Sequence, residues 1–317
     1  MRNVCAAAVT APPLVLSKDV RPGEAVDRMR GHWRSRIERV LPDRPDIIVL
    51  PENCDRPHGA GFRDAWYQEY LEARGDGILE MLSELARSHR AAVAYPAHRR
   101  DESGRWFNST RIIDDRGEVA GTYDKVFLTI GENEDDGLAY GDKPVAVELG
   151  FGRVAPIICF DLNFEELLAQ VRTLAPDMVL FSSAFHGGYL QQHWAYTLGV
   201  PFVASVYPPA PSGVLSATGE HLARTTNYNE EVTVRLNLDA GLIHMAYNEE
   251  RFGEIKLRYG SRVRIHDPGR IGVVLISSED ENLAIEDVMA EYGLERVRDY
   301  FDRVRSHRTQ AVAVRVP

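Results

Sequence analysis

The chain has 317 residues, 44% hydrophobic and 26% charged, which is enough for one large domain or two modest ones with a full core. A formal net charge of −10 excludes the basic face of a nucleic-acid binder, and no apolar run approaches the roughly 20 residues that span a bilayer. Cys5, Cys54 and Cys159 are odd in number and widely spaced, which excludes a disulfide framework or zinc motif and points to a reducing cytoplasm.

The first apolar run, NVCAAAVTA, stops at Pro12 and Pro13. Its small residues imitate the end of a signal peptide, but one arginine makes a thin leader, so the run reads as a buried strand. Val26, Met29, Trp33, Ile37 and Val40 recur at helical spacing. DIIVLPE reads as a fully buried strand halted by Pro51. A second amphipathic helix carries Ile78, Leu79, Leu82, Leu85 and Ala86, and AAVAYPAH is the next strand. FNSTRIID, the turn DDRGE and VAGTYDKVFL predict a hairpin.

The order then repeats. RVAPIICF is a strand, Phe164 to Leu174 a helix, DMVLFSSAF a strand, Tyr189 to Leu198 a helix and VPFVASVY a strand. SGVLSATGE and EEVTVRLNLD predict a second hairpin. LAIEDVMAEYG ends at Gly293 like a capped helix, and a stripe follows at Leu294, Val297, Phe301 and Val304. Two sheets, each covered by helices on one face and packed together, satisfy this order. The expected organisation is one domain over residues 1–281 and a helical extension over 282–317 that serves subunit contacts. The apolar stripe in that extension predicts at least a homodimer.

Three chemically useful residues stand at strand ends: Glu52 after IIVLP, Lys125 after VAGTYD and Cys159 after VAPII. A free thiol, with a pKa of about 8.5, needs activation to attack. Asn163 and Glu166 have capping-box spacing, so a helix starting there would aim its amides at Cys159. Glu52 is a base that can take the thiol proton, and Lys125 a cation that can hold an oxyanion. The bland alternative is a buried inert cysteine with two solvated loop charges.

LPENCD, GTYDKVFL and ICFDLNFEEL together resemble the motifs of the nitrilase superfamily, the carbon–nitrogen hydrolases, over about residues 2–238. The resemblance implies a four-layer α-β-β-α sandwich that dimerises through its sandwiches. It implies Glu52 as general base, Lys125 as oxyanion stabiliser and Cys159 as nucleophile. LTIGENEDDGLAYGD is similar to the segment that supplies a second glutamate, with Glu132 the best match and Glu134 the fallback. The implied reaction is hydrolysis of a non-peptide C–N bond through a thioester, releasing ammonia or an amine, with no metal or organic cofactor.

Around the nucleophile the family pattern usually has Arg where Asn163 stands and Pro where Glu165 stands. Without that arginine the expected substrate is a small neutral or cationic amide. A nitrilase or a carbamoyl-amide hydrolase is the alternative, although nitrilases usually carry Trp-Glu where Phe160 and Asp161 stand. A non-catalytic binding protein on the same fold, or an acyl transferase, is a further one. Phe160 and Asn163 beside the nucleophile, and Phe185 and His186 after the strand VLFSSA, are the expected substrate-binding residues. Trp194 reads as helix packing, Cys5 and Cys54 as buried bystanders, and Arg111 and Arg172 as surface charges. Glu166 stays open between helix cap and secondary site residue.

Overall fold

A computed structural model describes residues 2–313. In chain order it begins β1 (Asn3–Val9), α1 (Pro22–Ile37), β2 (Ile47–Val49), α2 (Ala65–Arg74), α3 (Gly77–His89), β3 (Ala92–Arg100), β4 (Trp106–Ile113), β5 (Val119–Asp124) and α4 (Ile130–Glu134). The second series is β6 (Val147–Leu149), β7 (Gly152–Ile158), α5 (Glu165–Thr173), β8 (Met178–Ser183), α6 (Leu190–Leu198), β9 (Phe202–Val206), β10 (Gly213–Leu215), β11 (His221–Arg224) and β12 (Glu231–Asn237). It ends with β13 (Ala240–His244), α7 (Glu249–Tyr259), β14 (Val263–His266), β15 (Val273–Ser278), α8 (Ile285–Tyr292) and α9 (Val297–Ala313).

Two six-stranded sheets form, in the orders β12-β1-β2-β3-β4-β5 and β11-β10-β9-β8-β7-β6. Alternate residues of the central strands face opposite layers, as the two-residue period of a strand requires. Ala6, Ala8, Ile47 and Val49 meet Val154, Met178, Leu180 and Val203 between the sheets. Ala7, Val9 and Ile48 face Met29, Trp33 and Leu82 of the first helix layer. Ala155, Ile157 and Phe181 face Leu167, Val171 and Trp194 of the second. The result is the α-β-β-α sandwich. Burial on both faces explains why these strands read as continuous apolar runs.

The predicted β4–β5 hairpin forms, with Thr110 opposite Tyr123. The second does not form as expected. The turn after β10 returns as β11, pairing Gly213 with Arg224, and β12 crosses to the other sheet, antiparallel to β1 from Asn3↔Asn237 to Val9↔Glu231. Val232 and Leu236 thereby reach the core between the sheets. Helix α2 was not legible as an apolar stripe, because its buried residues are Tyr67, Tyr70, Leu71 and Arg74.

Residues 240–278, unassigned from sequence, contain a third sheet, β13-β15-β14. Ile243, Val263 and Ile276 of that sheet share a core with Ile255 of α7 and with Ile285 and Val288 of α8. Asn282 lies between β15 and α8, inside this unit rather than at its edge. Of the terminal stripe, Leu294 and Val297 are buried, whereas Phe301 and Val304 are exposed. No helix among the described residues is long and apolar enough to cross a membrane.

Candidate active site

Strand β2 delivers Glu52 to the mouth of the sandwich through Leu50 and Pro51, and Asn53 turns the chain away with φ 46°. Glu52 is only 5% exposed. Its Oε1 accepts from Lys125 Nζ at 2.9 Å and Asn108 Nδ2 at 2.8 Å, and its Oε2 accepts from the Ala184 backbone N–H at 3.0 Å. Both sheets therefore hold one carboxylate.

Lys125 follows the last residue of β5 and is 1% exposed. Its backbone N–H donates to Asn108 O and its carbonyl accepts from Gly141 N, each at 2.8 Å. That close approach requires glycine, since a Cβ on Gly141 would run into the Asp124 carbonyl oxygen. Lys125 Nζ also donates to both oxygens of Glu132 at 2.9 Å. Burial pulls the ammonium pKa down, but the Glu52 and Glu132 carboxylates outweigh it and hold it above the usual lysine range.

Glu132 is set by a capping box at the start of α4. Its N–H donates to Thr129 Oγ1 at 3.2 Å, and its Oε2 accepts from Thr129 N at 2.8 Å. Burial works to raise its pKa, yet the Lys125 charge wins and lowers it. Glu134, two residues on, is exposed.

Cys159 closes β7 with a left-handed backbone, φ 47°, and opens a short 3-10 turn over Cys159–Asn163. Ser183, Glu52 and Lys125 all act on its thiol. Burial and then the Glu52 charge push its pKa up to about 12, against the opposing pull of Lys125. The expected capping box at Asn163 does not form. Helix α5 starts at Glu165 with Phe164 as its uncapped N-terminus, Asn163 Nδ2 turns back to Phe160 O at 2.9 Å, and Glu166 is exposed. The turn is organised instead by the fully buried Asp161. Its Oδ2 accepts from Tyr123 OH at 2.7 Å and Ile158 N at 3.1 Å, and its Oδ1 from Phe127 N at 2.8 Å. Because Tyr123 and Phe127 flank Lys125, Asp161 ties the lysine segment to the Cys159 turn.

The other expected contacts are more dispersed. Phe160 is half-buried and packs edge-on against Phe164, at 5.3 Å between ring centroids, and Phe164 stacks on Phe127 at 3.8 Å. Phe185 and His186 follow Ala184 directly. Phe185 is 44% exposed, and its backbone N–H donates to Ser183 Oγ at 3.0 Å. His186 Nδ1 accepts from Gly188 N at 2.9 Å. Neither hydrogen-bonds to Glu52, Lys125 or Cys159 in any contact among the described residues, and Asn163 is exposed. Trp194 donates to Leu162 O at 2.9 Å, clamping the Cys159 turn from α6. Arg111 and Arg172 pair with Asp76 and Asp302. Cys5 and Cys54 are buried.

Sequence reasoning missed Asn108, whose Nδ2 bridges Glu52 and Glu132 at 2.8 and 2.9 Å. The available signal was weak, because Asn108 only opens a polar run, Asn108 to Arg111, within β4. Among the described residues, no group of three or more His, Cys, Asp or Glu side chains is placed to hold a metal ion.

The family model described as carbon-nitrogen hydrolase matches residues 5–233. A deaminated glutathione amidase of Dictyostelium discoideum is 25% identical over 62% of this chain and 72% of its own. A chloroplastic omega-amidase of Arabidopsis thaliana is 23% identical over 71% of this chain and 68% of its own. Among solved structures, a carbon-nitrogen hydrolase from Helicobacter pylori G27 superposes with a TM-score of 0.62, at 16% identity, covering 81% of this chain and 94% of that one. An amidase from Nesterenkonia sp. AN1, carrying the acetamide moiety of fluoroacetamide covalently added at its active-site cysteine, superposes with a TM-score of 0.60. It is 18% identical, covering 81% of this chain and 96% of its own.

Proposed function

Because the chain belongs to the carbon–nitrogen hydrolase family, we propose that it hydrolyses a small neutral or cationic amide through a thioester on Cys159. The observation that carries this is the Lys125 ammonium seated between Glu52 and Glu132, with the Glu52 charge acting on the Cys159 thiol. A thiol at about 12 is thiolate in roughly one part in 10⁵ at about pH 7, so a base must remove its proton as it attacks. Glu52 takes that proton while Sγ bonds to the amide carbon. The Lys125 ammonium steadies the developing oxyanion. Glu52 returns the proton to the departing nitrogen, the C–N bond breaks, and ammonia or an amine leaves the thioester. Water then loses a proton to Glu52 and attacks the acyl carbon. The C–S bond breaks, and the thiol recovers its proton.

Glu132 keeps Lys125 charged and aimed, and Asn108 holds the two carboxylates at a fixed separation. Asn163 in place of arginine, with the exposed Glu165 close by in sequence, supports an uncharged or cationic substrate. The test is intact-mass spectrometry during incubation with a panel of amides, carbamoyl compounds and nitriles, with ammonia assayed in parallel. An acyl adduct confined to Cys159, formed from amides, is the expected result. A carbamoyl adduct, or turnover without any adduct on Cys159, overturns the reading.

A further inference from the structure

Three residues beyond Glu52, Asp55 is fully buried. Its Oδ2 accepts from Arg74 Nη1 at 2.8 Å and from Tyr95 OH at 2.5 Å, and its backbone oxygen accepts from Tyr70 OH at 2.8 Å. Arg74 is 5% exposed and donates its Nη2 to His98 O at 2.7 Å, and His98 Nδ1 faces Tyr67 OH at 3.0 Å. Between Glu52 and Asp55, the Cys54 N–H donates to Pro96 O at 3.0 Å, and the Cys54 carbonyl accepts from Trp33 Nε1 at 2.7 Å. One short loop is thus tied to α1, α2 and β3 at once.

Stability alone is a poor explanation for this investment in polar groups. A buried ion pair roughly breaks even against well-packed apolar side chains, and here Asp55 Oδ1 and Arg74 Nε remain buried without a hydrogen-bond partner. What the network does fix is direction. Asn53 in its left-handed conformation separates Glu52 from Cys54, so the anchors at residues 54 and 55 set the angle at which the Glu52 side chain leaves the backbone. Lys125, Asn108 and Ala184 hold the carboxylate end of the same side chain. We propose that Asp55, gripped by Arg74 and Tyr95, is a positioning residue for Glu52, holding its carboxylate in register with the Cys159 thiol and Lys125. This rests on Glu52 acting as the base in the reaction above.

The experiment compares wild type with Asp55→Asn, Tyr95→Phe and the charge-free double variant Asp55→Asn/Arg74→Gln. It measures thermal midpoint, steady-state amide hydrolysis, and alkylation of Cys159 by chloroacetamide at about pH 8, read by intact mass. Misplacing the base lowers kcat by up to about a hundredfold while KM stays within about twofold. Moving Glu52 away from the thiol also makes Cys159 alkylate several-fold more slowly, because the base that takes its proton is out of reach. A merely structural lock would lower the midpoint and move neither readout. Tyr95→Phe, which keeps its ring, shows the same changes in smaller measure and carries the test should the charge variants fail to fold. Folded variants with wild-type kcat and wild-type alkylation overturn the inference. If wild type hydrolyses no amide yet the variants alkylate more slowly, the positioning role stands and the proposed function falls.

Discussion

Glu52 follows β2 in the first sheet and Cys159 follows β7 in the second, and each segment turns through one left-handed residue, Asn53 at φ 46° and Cys159 itself at φ 47°. Each is also pinned by a buried aspartate just downstream. The partners differ. Asp55 is met by a guanidinium and two tyrosine hydroxyl contacts to its side chain and backbone, whereas Asp161 is met by one hydroxyl and two backbone amides, all neutral. Removing a partner on the first side strands a buried charge, and on the second removes a hydrogen bond. Glu52 is held by ionic anchors and Cys159 by the shape of a turn.

The largest effects test whether the two sides act as one unit. Cys159→Ala should abolish turnover, and Glu52→Gln or Lys125→Ala should each lower kcat at least about a thousandfold, measured by ammonia release. An essential Cys5 or Cys54 in the same assay would dissolve the pairing. Stability separates the anchors next. Arg74→Met leaves Asp55 buried without its cation and should cost about 3–5 kcal/mol in urea unfolding, against about 1–2 kcal/mol for Tyr123→Phe. Equal losses would erase the contrast.

Asp161 adds a pH signature. Burial pushes its carboxyl pKa up to about 7, against the hydrogen bonds from Tyr123, Phe127 and Ile158 that pull it down. A carboxylic acid with a raised folded pKa binds its proton more tightly folded than unfolded. Its contribution is therefore present in full below the unfolded value near 4 and is lost as pH rises to about 7, a change of a few kcal/mol. Asp161→Asn, which does not titrate, should flatten the slope of unfolding free energy between about pH 4 and pH 7. An unchanged slope would remove Asp161 as its source. The smallest effect concerns substrate choice: Asn163→Arg should raise kcat/KM for a carboxylate-bearing amide about tenfold relative to its neutral match. A wild-type preference for the carboxylate would contradict the reading of position 163.

Much of this was legible because the central strands are buried on both faces and read as uninterrupted Ile, Val and Ala runs. The loops that end them could then be searched for Glu52, Lys125 and Cys159. Three failures share a physical cause, which is that polar groups can satisfy one another in burial. Helix α2 hides because its inner face is Tyr67, Tyr70 and Arg74. Asn163 and Glu166 have capping spacing, but the buried Asp161 holds the turn through the Ile158 and Phe127 amides and the helix begins later. Asn108 carries no periodic signal, since its partners lie 56 and 24 residues away. The β12 crossover was likewise invisible, because strand alternation shows which face is apolar and not which sheet receives it.

That crossover governs the order in which the molecule can be made. β1 pairs with β2 on one side, but its other edge is completed only by Glu231–Asn237. A nascent chain still short of residue 231 carries an unfinished edge, exposed to pairing with other chains. Joining Asn3 to Asn237 closes a loop spanning most of the protein, the kind of distant contact that slows folding. Hydrogen exchange on stalled chains should show β1 amides gaining protection only after β12 clears the ribosome exit tunnel, and earlier protection would contradict this. The last strand of the sandwich to be synthesised is the one that seals the first.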